Sequence, residues 1–100
     1  MHTATILVAD DDAVARELLA DALRQEGYAV EAFASGEEVI ARGREGRVDL
    51  VLTDIRMGAV DGLTVLREFK RMSPDTAVVV LTAFGSLEGA IEAIKQGAYD

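Results

Sequence analysis

Several residue types are absent or scarce in this chain of 100 residues, and each absence excludes a class of structure or chemistry. There is no cysteine, and there is one proline. Without cysteine the chain can form neither disulfides nor thiolate metal sites, which fits a reducing compartment such as the cytoplasm. A hydrophobic fraction of 50% and a charged fraction of 28% are typical of a globular chain rather than a disordered one. The length predicts one small domain over residues 1–100.

Positive charge and long apolar runs are also in short supply. Ten lysines and arginines stand against 18 acidic residues, so the formal net charge is −8. This charge would repel a phosphate backbone, and a role in DNA binding would need another domain. No apolar stretch approaches the roughly 20 residues that cross a bilayer. The acidic run Asp10–Asp12 follows the first apolar run too closely for a signal peptide. We therefore expect a cytoplasmic segment without direct nucleic-acid or membrane binding.

Short apolar runs alternate with longer segments of helical period, which favours repeated βα units. Four runs predict four parallel strands, at residues 6–9, 28–33, 50–53 and 77–81. The second run contains Ala29 and Glu31, which are poorly matched to a buried strand, so we expect it at an edge. The third is nearly all apolar, as in a strand covered by helices on both faces. The prediction is an α/β fold with a doubly wound parallel sheet.

Helix starts and stops can also be predicted from the sequence. The apolar residues of the first helix share one face, and they are Val14, Leu18, Leu19, Ala22 and Leu23. Gly27 is a suitable end for this helix. Ser35 and Glu38 have the spacing of a capping box for the second. Asp61–Gly62 opens a third helix with Leu63, Leu66 and Phe69 inward, which ends before Ser73–Pro74. Ser86 caps a fourth, which Gly97 ends.

Acidic residues stand at the predicted ends of two strands. Because the carboxyl ends of parallel strands lie along one edge, Asp10 and Asp11 should converge with Asp54, near the strand-end hydroxyl of Thr82. Two charges 4 Å apart repel by about 4 kcal/mol at an effective dielectric near 20, so the cluster needs raised pKa values or a cation. Carboxylates without His or Cys suit Mg²⁺ or Mn²⁺. Beside such a cation, Asp54 can act as a nucleophile toward phosphorus.

Simpler interpretations exist for each residue taken alone. Asp10–Asp12 can cap the first helix and complement its dipole. Asp54 can be an ordinary turn residue, and Thr82 an ordinary strand residue. The conjunction is more specific, because acids at the ends of two strands and a hydroxyl at the end of a third would otherwise be three unrelated accidents.

Three segments carry a resemblance to a known family. The segments "ILVADDDAVARELL", "DLVLTDIRMGAVDGLTVL" and "AVVVLTAFGSLEGAIEAIKQGAYD" resemble the receiver domain of two-component response regulators, over essentially the whole chain. The last segment is most similar to receivers of sigma-54-dependent transcription activators. The resemblance implies a flavodoxin-like receiver fold with strand order 2-1-3-4, of which the fifth strand and last helix are missing from this chain.

The resemblance also implies a role for each site residue. Asp54 is the phosphoacceptor for a sensor histidine kinase, and the domain is not an enzyme in its own right. The implied ligands of Mg²⁺ (or Mn²⁺) are Asp10, Asp11, Asp54 and the backbone carbonyl of Arg56. Thr82 is the switch hydroxyl, and Ala83 leaves access to the phosphoryl group. Asp12 is expected to cap the helix. Phosphorylation would rearrange the loop at 84–88 and the fourth helix, and so alter dimerisation or the docking of an output domain.

Two departures from the family pattern matter. Gly58 stands where the family has proline, and glycine should loosen that loop. The family's lysine, which follows "GAYD", has no counterpart in this chain, since Lys95 lies inside the fourth predicted helix. We therefore expect a receiver cut from a longer protein, which accepts phosphate poorly in this form. Its strand at 77–81 would be an exposed apolar edge that favours a dimer or strand exchange.

Two other functions compete with the phosphoacceptor hypothesis. A pseudo-receiver would use the same fold constitutively for protein binding, but retention of the three acids and Thr82 argues against it. A phosphohydrolase of the haloacid dehalogenase type also has an Asp nucleophile at a strand end. That class needs a second Asp two residues later, where this chain has Arg56.

Overall fold

Strands and helices alternate along residues 3–81, the part of the chain that the computed structural model describes. The elements, in chain order, are β1 (Thr5–Ala9), α1 (Ala13–Gln25), β2 (Ala29–Phe33), α2 (Gly36–Gly43), β3 (Leu50–Asp54), α3 (Gly62–Met72) and β4 (Ala77–Leu81). The predicted fourth helix, with its cap at Ser86 and its end at Gly97, lies outside the described residues. So do Thr82, Ala83 and the loop at 84–88.

The four strands form one parallel sheet in the order β2-β1-β3-β4. This confirms the predicted 2-1-3-4 order and the edge position of β2. Ala9 pairs with Thr53, and Asp54 pairs with Leu81. Because β1 and β3 are neighbours in this register, the residues that follow Ala9 lie beside Asp54 at the carboxyl edge of the sheet.

The main core lies on the sheet face that α2 and α3 cover. Leu7, Val51 and Val78 are aligned across β1, β3 and β4, and all three are almost completely buried. They belong to one cluster with residues of the two helices, namely Val39, Ile40, Val65, Leu66 and Phe69. Full burial of one such side chain contributes about 1.5–3 kcal/mol. This packing holds β3, and therefore Asp54, in a fixed place.

The opposite face of the sheet is covered by α1 over β1 and β2. The five apolar residues predicted to share one face of α1 do not all face the sheet. Leu19 and Leu23 are partly buried beside the fully buried Ala20, whereas Ala22 is exposed and Val14 and Leu18 are 70% and 68% exposed. The inward residues are spaced three or four apart and include Arg16 and Leu23. Val14 and Leu18 precede Arg16 and Ala20 by two residues each, which is about 200° around a helix.

Side-chain caps begin each described helix, as the sequence predicts. The side chains of Asp12, Ser35 and Asp61 accept hydrogen bonds from backbone N–H groups in the first turns of α1, α2 and α3. The capping box differs in one bond, because the Glu38 carboxylate accepts from the Ser35 hydroxyl at 2.9 Å. Gly27, with φ of 97°, follows the end of α1. None of the helices in residues 3–81 is long and apolar enough to cross a membrane.

Candidate metal and phosphoacceptor site

Three carboxylates converge at the carboxyl edge of the sheet. Asp10 and Asp11 follow β1, and Asp54 is the last residue of β3. One carboxylate oxygen from each residue lies within 4.8 Å of the corresponding oxygens of the other two. Asp10 and Asp54 are partly buried, and Asp11 is exposed. The predicted convergence of these three acids is therefore present in the fold.

Asp10 is held by hydrogen bonds from its backbone and its side chain. Its N–H donates to the carbonyl of Phe33 on β2 at 3.1 Å. Its Oδ1 accepts from the N–H of Asp12 at 2.9 Å, and its carbonyl oxygen accepts from Nη1 of Arg16 at 2.9 Å. The turn between β1 and α1 is therefore fixed at both ends.

Asp54 is held by the loop and the helix that follow it. The N–H of Arg56 approaches its Oδ1 at 3.5 Å, and the N–H of Gly62 donates to the carbonyl of Ile55 at 3.0 Å. Gly62 packs so closely that a Cβ there would overlap the carbonyl oxygen of Asp54. The start of α3 therefore lies directly against the end of β3, which only glycine permits.

The electrostatics of the cluster favour a cation. Burial raises the pKa of Asp54, and the neighbouring charges of Asp10 and Asp11 raise it further, while the N–H groups of Arg56 and Ile55 oppose the shift. The ionised form of Asp54 is thus destabilised when no cation is present. Oxygen donors without nitrogen or sulfur fit a hard divalent ion such as Mg²⁺ or Mn²⁺. Asp10, Asp11 and Asp54 are the residues that would hold it.

Comparison with known proteins agrees with this site. The sequence profile described as the response regulator receiver domain matches residues 6–100. The chain belongs to the response regulator receiver family. It is 44% identical over 95 residues to the transcriptional regulatory protein ZraR of Salmonella typhimurium, covering 95% of this chain and 22% of that protein. The chain thus spans about a fifth of the length of that relative.

Solved structures give the same result for the fold. A response regulator receiver domain protein from Clostridium thermocellum superposes with a TM-score of 0.90 at 36% identity, over 96% of this chain and 78% of that one. The beryllofluoride-activated NtrC4 receiver domain, solved as a dimer, superposes with a TM-score of 0.89 at 32% identity, over 96% and 79%. The predicted receiver fold is therefore confirmed, and a receiver is a phosphoacceptor domain rather than a catalytic enzyme.

The remaining predicted residues of the receiver site have different outcomes. Asp12 caps α1, as expected, through bonds from the N–H groups of Val14 and Ala15. The roles of Asp54 as phosphoacceptor and of the Arg56 carbonyl as a ligand stay predictions. The switch residues Thr82 and Ala83 lie outside the described part of the chain.

The loop after Asp54 contains one departure of this receiver from the family pattern. Gly58 has φ of 63°, in the left-handed region. Proline holds φ near −65°, so it cannot occupy this position with the same backbone. The backbone observed here therefore requires a residue that tolerates positive φ, as glycine does.

Two contacts beside the site were not anticipated from the sequence. Arg16 reaches back from α1 to the turn that carries Asp10 and Asp11, and Gly62 allows α3 to touch β3. The spacing of an arginine four residues after the Asp12 cap is a usable signal for the first. The close contact of Gly62 depends on tertiary packing, which the local sequence does not reveal.

Proposed function

We propose that Asp54 accepts a phosphoryl group from the phosphohistidine of a sensor histidine kinase, with Mg²⁺ or Mn²⁺ bound at the acidic cluster. The observation that carries the proposal is the convergence of Asp10, Asp11 and Asp54, with oxygens within 4.8 Å, in a chain of the receiver family. The modified domain acts as a signalling switch rather than an enzyme.

The chemistry required of this chain is limited. A carboxylate oxygen of Asp54 attacks phosphorus, a bond from that oxygen to phosphorus forms, and the bond from phosphorus to the histidine nitrogen breaks. A divalent cation, when bound, neutralises charge on the phosphoryl oxygens. The β3 strand orients the carboxylate of Asp54. Asp10 and Asp11 would hold the divalent cation beside it. The raised pKa of Asp54 is consistent with a carboxylate of increased basicity.

The output follows from the charge that phosphorylation adds. A phosphoryl group brings between one and two negative charges and strong acceptor oxygens, which bias a neighbouring surface between two arrangements. We assign the response to Thr82, Ala83 and the residues that follow. The NtrC4 receiver, solved as a dimer in its activated form, supports dimerisation as one output.

The wider role of the protein rests on its relatives. ZraR is a transcriptional regulatory protein, which supports control of transcription through an output domain and agrees with the sequence-based resemblance to sigma-54-dependent activators. The net charge of −8 supports the proposal that a different domain of the protein contacts DNA. We place the protein in the cytoplasm, where sensor kinases present their phosphohistidine.

Labelling by a small phosphodonor tests the proposal directly. The full-length protein is incubated with radiolabelled acetyl phosphate and Mg²⁺, and incorporation is compared between wild type and Asp54→Asn. We expect Asp54→Asn and chelation by EDTA to abolish the label, because the nucleophile or the cation is lost. Asp75→Asn is the matched control, since Asp75 is exposed and precedes β4 at the opposite edge of the sheet. Label that persists in Asp54→Asn would contradict the assignment.

A further inference from the structure

We propose that Arg16 is a positioning residue for the metal-binding acids, which acts by locking the turn between β1 and α1. The inference rests on the proposed function, because it assigns Arg16 to the same site. Arg16 is not a ligand and touches no reacting atom. Its guanidinium donates to the backbone carbonyl of Asp10 at 2.9 Å.

Three hydrogen bonds close a ring around this turn. The N–H of Asp12 donates to Oδ1 of Asp10 at 2.9 Å. The N–H of Arg16 donates to the carbonyl of Asp12 at 2.9 Å, within the first turn of α1. The Arg16 side chain then returns to the carbonyl of Asp10. Asp11 lies between two residues of this ring, so its backbone is fixed with theirs.

The direction of the Arg16 side chain suits this role. Long side chains on a helix point back toward its N-terminus, and Arg16 lies four residues after the cap, so its guanidinium reaches the turn that precedes α1. The side chain is only 19% exposed, on the inward side of the helix. Its ion pair with Glu17 is long, at 3.9 Å, and Glu17 is 59% exposed. That surface pair contributes little.

The charge of Arg16 and its proposed positioning role predict opposite changes in Mg²⁺ affinity when the residue is removed. A positive charge near three carboxylates repels a second cation, so removing Arg16 would tighten Mg²⁺ binding if charge were its main effect. If Arg16 instead holds Asp10 and Asp11 in place, its removal must weaken binding, because the acids then have to be ordered when the ion arrives. The sign of the change therefore separates the two roles.

Arg24 provides a matched control on the same helix. It also donates from its guanidinium to a backbone carbonyl, that of Val30, at 3.2 Å, but Val30 lies on β2 away from the acids. Arg24→Ala removes the same charge and the same kind of bond without touching the turn. We compare Mg²⁺ dissociation constants by calorimetry for wild type, Arg16→Ala, Arg16→Lys and Arg24→Ala in the full-length protein.

We expect Arg16→Ala to weaken Mg²⁺ binding by about tenfold, as supporting residues of metal sites commonly do. Arg16→Lys should recover part of the loss, because it retains a donor and the charge, and Arg24→Ala should bind as wild type does. Without metal, the amide of Asp12 should exchange with solvent faster in Arg16→Ala. Phosphoryl labelling of Arg16→Ala should fall at limiting Mg²⁺ and recover at saturating Mg²⁺.

Each result has a defined meaning. Unchanged or tighter Mg²⁺ binding in a folded Arg16→Ala would overturn the proposal. If that variant fails to fold, Arg16→Gln takes its place, because it removes the guanidinium and shortens the side chain, and unchanged or tighter Mg²⁺ binding there would overturn the proposal. If wild type binds Mg²⁺ but takes no label, the proposed phosphoacceptor function fails, while the affinity comparison still tests Arg16. Wild type that binds no divalent ion would overturn both.

Discussion

At the scale of single residues, the site combines groups that stabilise the turn with a group that is destabilised by its surroundings. Asp12 serves the fold, since it caps α1. Asp54, the proposed phosphoacceptor, is the opposite case, because burial and two neighbouring acids make its ionised form less favourable. The identities of these acids were predictable from their positions after apolar runs. The raised pKa of Asp54 was anticipated as one of two ways to relieve the repulsion, but only the fold gives the burial that is its main cause.

The raised pKa of Asp54 predicts a pH-dependent stability difference. The folded protein binds the proton of Asp54 more tightly than the unfolded chain does, so this carboxyl lowers stability as pH rises through the folded-state pKa. Without metal, Asp54→Asn should therefore be more stable than wild type near pH 7, by a few tenths to about 1 kcal/mol, because the site is partly exposed and screened. The difference should vanish below the unfolded pKa of about 3.9.

Urea unfolding across this pH range measures the effect, with Asp75→Asn as the variant that changes charge outside the site. An Asp54→Asn protein that is less stable than wild type at neutral pH and without metal would contradict the electrostatic account.

At the scale of elements, the strands and the caps were predictable because they depend on local patterns. The four apolar runs became the four described strands, and Leu66 and Phe69 of α3 are buried as expected. The orientation of α1 was not predictable in detail. Its inward stripe includes Arg16 and Ala20, and excludes the more hydrophobic Val14 and Leu18.

The contact between α3 and β3 predicts a strong effect of one added methyl group. Gly62→Ala should destabilise the protein by about 1–3 kcal/mol, since a Cβ would overlap the backbone of Asp54 and Ile55. It should also weaken Mg²⁺ binding, because any relaxation moves the end of β3. Gly46→Ala is the control, since no atom lies within 4 Å of its added Cβ. Thermal unfolding and Mg²⁺ titration of both variants check this, and equal melting temperatures would disprove the packing argument.

At the scale of the whole molecule, exposed apolar surface and net charge have opposite effects on self-association. Leu81 of β4 is 39% exposed, and β4 ends the sheet within the described residues. The net charge of −8 opposes association of two copies, and salt screens that repulsion.

The convergence of the three acids, which depends on strand order and register, was predictable from the sequence only through the assumption that β1 and β3 are neighbours.

Self-association of this 100-residue chain should therefore be promoted by salt. We expect sedimentation to detect a dimer at high protein concentration, with a larger dimer fraction in about 0.5 M salt than at low ionic strength. Leu81→Lys should reduce the dimer fraction, because charge on an edge strand discourages pairing. Gln25→Lys, which adds the same positive charge to an exposed position at the end of α1, should leave more dimer than Leu81→Lys. A clean monomer in high salt would refute the expectation.

The register of β1 against β3 gives the acidic cluster a second use. Ala9 lies opposite Thr53, and this pairing places Asp10 beside Asp54. A slip of one residue would turn every side chain of the slipped strand to the other face of the sheet. Asp10 and Asp54 would then no longer share a site. If the acids hold a divalent ion as proposed, ion titration would count the correctly paired molecules in a sample, and would provide an assay of folding fidelity that needs no kinase and no output domain.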